Sequence, residues 1–166
     1  MAFLIAIPVI VISTILQMVI FSRVNLLSGS ADILLVVVVA WSLQDKKITA
    51  WLWALMAGLL ITFISALPMA VPLISYLVAV GMAKLLQRRI WQSPILTLFV
   101  LIFMATLFQH ILSIGALQLT GTAISITEGL SRVTLPSLFL NLLLAVPVYI
   151  ILRDIYLMVY PNRDEE

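Results

Sequence analysis

The stretch ITAWLWALMAGLLITFISALPMAVPLISYLVAVGMA, Ile48 to Ala83, contains no charged residue. An α-helix crosses a bilayer with about 20 apolar residues. This run is too long for one crossing and just long enough for two. Pro68 and Pro72 stand near its middle. It therefore reads as a helical hairpin, about 48–66 and 69–87, with a very tight turn between. The flanking charges test that reading. Lys46 and Lys47 precede the run, and Lys84, Arg88 and Arg89 close it. A hairpin puts both basic groups on one side of the membrane, whereas a single crossing would separate them.

Outward from the hairpin, the same logic finds four more spans. Met1 to Phe21 is uncharged and ends before Arg23. It lacks a basic leader and a small-residue cleavage site, so it reads as a span rather than a signal peptide, with Pro8 inside it. Asn25 to Ala31 is a turn. The second span, about 31–44, is short: after Asp32 only ILLVVVVAWSL remains before the next charges. The fifth is about 94–114. Gly115 to Ser131, rich in Gly, Thr and Ser, reads as the longest loop. The sixth is about 135–153, bent by Pro147, with a mixed-charge tail from Asp154. With the N-terminus inside, Lys46, Lys47, Lys84, Arg88, Arg89, Arg153 and Arg163 are cytoplasmic, and only Arg23 and Arg132 lie outside. The expected fold is an all-α integral membrane protein, a single domain of six transmembrane helices with both termini cytoplasmic.

Composition narrows the function. Of 166 residues, 64% are hydrophobic and 10% charged, against roughly 45–50% and about 25% in soluble domains. That excludes a soluble globular protein, a disordered chain and a nucleic-acid binder. There is no cysteine and one histidine, His110. Disulfide and thiolate chemistry are thereby excluded, and no metal site is expected. Trp41, Trp51, Trp53 and Trp91 all flank the two basic loops, which reads as a one-sided aromatic belt at the membrane surface.

The informative residues are polar ones within apolar runs. Asp32 admits two readings: a buried carboxylate that anchors a partner or cation, or a first-turn residue of the second span favoured by the helix dipole, with Ser30 as a cap. His110, beside Gln109, reads as a hydrogen-bonding packing residue. The Asn141 amide needs a partner on a neighbouring helix. Pro136 suits a helix's first turn. Small-residue pairs (Ala2 and Ala6, Ala54 and Gly58, Ala79 and Ala83) permit close helix approach. Lys46, Lys47, Lys84, Arg88 and Arg89 form a basic patch for topology and anionic headgroups. No carboxylate pair shares a span, and there is no Walker A, GxGxxG or HExxH sequence. Neither an enzyme nor a cofactor is expected.

Three stretches resemble the MreD family, the membrane subunit of the bacterial rod-shape system. ADILLVVVVAWSL (31–43) looks like the family's Pro-Asp-leucine-rich second span, with Ala31 in place of the proline and Asp32 matching the acid. AWLWALMAGLLITFISALPMAVPLISYLVA (50–79) is similar to its Gly-Leu segment through Gly58 and Leu59, although the usual aspartate is absent near Thr62. LPSLFLNLLLAVPVYIILRDI (135–155) has Pro136, Asn141, Pro147, Tyr149 and Arg153 in the expected order. The resemblance implies a non-enzymatic scaffold in the bacterial inner membrane. It implies binding to the single-span MreC and support of RodA, a class B penicillin-binding protein and MreB in side-wall peptidoglycan synthesis and cell shape.

The family's fold is also similar to the substrate-binding S-component of energy-coupling-factor vitamin transporters, which supplies the alternative. There, 115–131 is a lid, Gln118, Thr120, Thr122 and Glu128 contact the ligand, and the Ala2 and Ala6 pair docks a transporter partner. The expected scarcity of convergent polar groups weighs against a vitamin pocket.

Overall fold

The structure, a computed structural model, describes residues 2–21, 25–44, 49–68, 70–87, 93–122 and 125–160. The chain is a mostly helical membrane protein. Its elements are α1 (Ala2–Leu16), continued by a π-helical turn at Gln17–Phe21, then β1 (Asn25–Leu26) and β2 (Gly29–Ser30). There follow α2 (Ile33–Gln44), α3 (Thr49–Ile64), α4 (Ala70–Gln87), α5 (Pro94–Leu119), the single turn α6 (Ile126–Glu128) and α7 (Leu135–Val159). A second π-helical turn, Gly129–Thr134, joins α6 to α7. Three helical stretches are long and apolar enough to cross a membrane: Ala70–Gln87, Pro94–Leu119 and Ile126–Val159.

The centre of the bundle is its shortest long helix. Every residue of α2 from Ile33 to Ser42 is buried, and α2 touches α1, α3, α4, α5 and α7. A helix that is apolar all round has no polar face to offer solvent and must be enclosed. At ~18 Å it falls well short of a hydrocarbon core of about 30 Å. Its end groups must therefore find partners within the protein.

The expected hairpin is α3 and α4. At its turn, Leu67 N–H donates to Ser65 Oγ (3.1 Å) and Val71 N–H to the Pro68 carbonyl (2.9 Å). Gly58 sets the spacing, because a Cβ there would stand 3.0 Å from Leu73 Cα on α4. Ala54, Ala79 and Ala83 are buried as well. Gly58→Ala should cost about 1–3 kcal/mol, since the wall it meets is backbone. Thermal unfolding in detergent measures this, and an unchanged melting temperature would show that α3 and α4 are not in tight register there.

Four sequence expectations need correction. Gly115–Ser131 is not one long loop. Here α5 runs on to Leu119, and helix resumes at Ile126. The hydroxyls that suggest a loop instead bond to their own helix, as in Thr120 Oγ1 to Leu117 O (2.9 Å) and Ser131 Oγ to Thr127 O (2.8 Å). In an apolar setting the helix wins because it satisfies its own backbone.

Second, Trp41 and Trp53 are not belt residues. Both are fully buried, stacked with ring centroids 4.1 Å apart, and Tyr156 meets Trp41 edge-on at 5.6 Å. Trp51 is 39% exposed, and Trp91 lies outside the described residues. Third, the last helix continues past Arg153 to Val159. Arg153 lies 3.5 Å from Asp154 on its exposed surface, a pair of little energetic weight. The fourth correction is the convergence of polar groups, below.

Candidate functional site

Both ends of α2 are closed by side chains from the helices around it. At its C-terminal end, Gln87 Nε2 donates to the carbonyls of Ser42 (2.8 Å) and Leu43 (2.5 Å). Lys84 Nζ lies 3.4 Å from the same Ser42 carbonyl. Lys84 thus supports the bundle as well as carrying charge. Lys46, Lys47, Arg88 and Arg89, the rest of the expected basic patch, lie outside the described residues.

The N-terminal end is more elaborate. Asp32 immediately precedes α2, and its Oδ1 accepts the Leu35 N–H (3.0 Å). It is itself the cap; Ser30, the cap expected from sequence, donates its N–H to Ser137 Oγ (3.0 Å) instead. The negative charge at the N-terminus also suits the helix dipole. Tyr76 of α4 donates its hydroxyl to Oδ1 (2.8 Å), and Gln109 of α5 donates Nε2 to Oδ2 (2.8 Å). Three donors from three helices therefore meet on one half-buried carboxylate.

The backbone around Asp32 is held in the same way. Asn141 of α7 accepts the Asp32 N–H at Oδ1 (2.7 Å) and donates Nδ2 to Thr106 Oγ1 of α5 (3.0 Å). Gln17, in the π-helical turn after α1, accepts the Ile33 N–H (2.8 Å) and donates to the Ala31 carbonyl (2.7 Å). Residues 31–35 thus gather side chains from the α1 extension, α4, α5 and α7. The scarcity of convergent polar groups expected from the sequence does not hold at this end of α2.

The hairpin β1–β2 closes this end. Asn25 pairs with Ser30 and Leu26 with Gly29. Pro136 has no N–H to give the Arg132 carbonyl four residues back, and Ser28 N–H takes that carbonyl at 3.1 Å. Gly29 then lies directly against the start of α7.

His110 sits apart from the carboxylate's hydrogen bonds. Its Nδ1 is 3.2 Å from Thr134 Oγ1, which also bonds the Gly129 carbonyl, so it acts as a packing residue between α5 and the second π-helical turn. Gly58 and Arg153 belong to other parts of the bundle. Pro147 lies on the exposed side of α7, which runs through it without interruption. Thr120, Thr122, Gln118 and Glu128 are all exposed.

Gln17, Tyr76, Thr106 and Ser137 escaped the sequence reading. One local signal was available for Gln17, the single amide in the first apolar run. Among the described residues, no group of three His, Asp or Glu side chains is placed to hold a metal ion. The arrangement can fasten helices and present one carboxylate. No protein-family model, curated protein or solved structure matches the chain.

Proposed function

We propose that the chain is a non-enzymatic membrane scaffold of the MreD type, a six-span protein of the bacterial inner membrane with both termini cytoplasmic. In this reading it binds MreC and supports RodA, a class B penicillin-binding protein and MreB in side-wall peptidoglycan synthesis. The three sequence stretches described above suggest the family. The observation that carries the scaffold reading is the use made of the polar side chains. Asp32, Tyr76, Gln109 and Asn141 turn inward to fasten α2. The outward faces stay apolar, as at Ile12 and Ile15 on α1, Met104 on α5 and Leu143 and Ile151 on α7. A rigid core with apolar flanks suits helix-to-helix assembly with other membrane proteins.

Co-purification with MreC in mild detergent tests this. A stable complex is expected; a chain that elutes alone, with MreC elsewhere, removes the reading. The topology has its own test. Reporter fusions after Lys47, Arg89 and Glu166 should report cytoplasmic and a fusion after Gly121 external. An external signal at Arg89 would break the α3–α4 hairpin as a double crossing.

The convergence at Asp32 favours a second reading, the S-component of a vitamin transporter, since a small-molecule site gathers a few polar groups in an apolar wall. Mass spectrometry of the purified protein decides it: a stoichiometric water-soluble vitamin supports a transporter, and its absence leaves the scaffold.

A further inference from the structure

The Asp32 cluster has acceptor capacity that the described residues do not use. Among the described residues, the carboxylate takes hydrogens only from the uncharged groups of Leu35, Tyr76 and Gln109. Among the described residues the one ion pair is Arg153 with Asp154, toward the other end of α7. Beside the carboxylate, the Gln109 amide oxygen is buried and has no hydrogen-bond partner. It is one amide width from the nitrogen that bonds Asp32. A carboxylate and an unpaired carbonyl oxygen set together, with no lysine or arginine among the described residues paired to them, are complementary to a charged N–H donor. Buried acceptors left unpaired are costly, and a charge-assisted donor is the group that relieves both at once.

We propose that Asp32 and Gln109 receive one ammonium or guanidinium group from a basic side chain of a single-span membrane partner. This rests on the scaffold reading and names its point of contact. A free amine is a poor occupant, because one charge-assisted contact changes an equilibrium by about tenfold, far too little to hold a small solute. A partner helix supplies the remainder through apolar surface. Such surface adjoins the site: Gln17 ties the end of α1 to residues 31–33, and Ile15, Met18 and Val19 around it are exposed.

The test uses the full chain in phosphatidylcholine nanodiscs, titrated with purified MreC. Asp32→Asn removes the charge but keeps an oxygen for Tyr76 and Leu35, while Gln109 turns its amide to meet the new NH2. Binding should weaken at least tenfold, ~1.4 kcal/mol, in a variant that still unfolds in one cooperative transition. Gln109→Met, which removes the orphan oxygen, should also weaken binding and serves if Asp32→Asn fails to fold. Undiminished binding by the variants overturns the inference and leaves the scaffold standing. No binding by the wild type overturns both. In nanodiscs containing phosphatidylethanolamine, native mass spectrometry showing that lipid retained by wild type and lost by Asp32→Asn would assign the site to a lipid ammonium and overturn the partner.

Discussion

Gly29→Ala should destabilise the protein by about 3 kcal/mol, and Gly29→Val should abolish folded yield, the largest effects expected from any glycine in the chain. A Cβ at Gly29 would stand 2.6 Å from the Val133 carbonyl oxygen, 2.7 Å from the Ser137 nitrogen and 2.8 Å from Pro136 Cβ. Two of those three atoms are backbone, and the third belongs to a proline ring that cannot swing aside. Overpacking commonly costs 1–3 kcal/mol where side chains can yield, and more where they cannot. The displacement would also carry away the Ser28 and Ser30 hydrogen bonds to Arg132 and Ser137. Gly115→Ala supplies the contrast. Nothing lies within 4 Å of a Cβ there, and the position is interior to α5, so alanine should stabilise by roughly 0.5–1 kcal/mol. Thermal unfolding of the two variants in one detergent checks both signs. A Gly29→Ala protein as stable as wild type would mean that the β1–β2 turn does not seat on α7.

The two glycines show what a sequence can and cannot display. Where apolar runs begin and end is written in the positions of charge, and α1 through α4 lie where those runs lie. The extent of α5 and the helix resuming at Ile126 are hidden in the sequence because Gly, Thr and Ser break helices in water, where the backbone has an alternative partner, whereas α7 runs on through the charged Asp154 to Val159. In an apolar surround the Thr and Ser hydroxyls turn onto the helix instead. The tryptophans flank basic loops, and position in the chain cannot say which face of a helix each occupies. Trp41 and Trp53 face each other in the core, while Trp51, beside Trp53, faces outward.

The cluster at Asp32 was the least legible feature. Its members are spread from Gln17 to Asn141, and no local spacing links them. Each was visible only as a polar residue with a bond to make. What joins them is the shortness of α2, and that shortness was visible. A helix too short to bring its ends to water requires neighbours that close those ends. The amides at Gln17, Gln87, Gln109 and Asn141 are the natural candidates, each able to donate and accept at once.

That argument makes Asn141→Leu the second large effect, with an expected loss of about 2–3 kcal/mol. Asn141 is fully buried and serves both the Asp32 N–H and Thr106 Oγ1. Leucine keeps the branched shape and number of side-chain heavy atoms, though it is bulkier, and leaves the N–H at the start of α2 without an acceptor, at about 1–3 kcal/mol for an orphaned buried group. Thr106 suffers less, because a helical threonine can turn its hydroxyl to the carbonyl four residues back. Thr106→Val alone should therefore cost under about 1 kcal/mol. The double variant should show a coupling of about 0.6–1.7 kcal/mol, the range found for hydrogen bonds between membrane helices. Denaturant titration in mixed micelles measures all four corners of the cycle. If Asn141→Leu falls within about 0.5 kcal/mol of wild type, as surface substitutions do, α2 is held by apolar packing alone. If the loss appears but the coupling is zero, the Asp32 N–H carries the whole effect and the contact with α5 is incidental. The expected result, a large single loss with partial coupling, would establish Asn141 as the tie between α7, α5 and the start of the central helix.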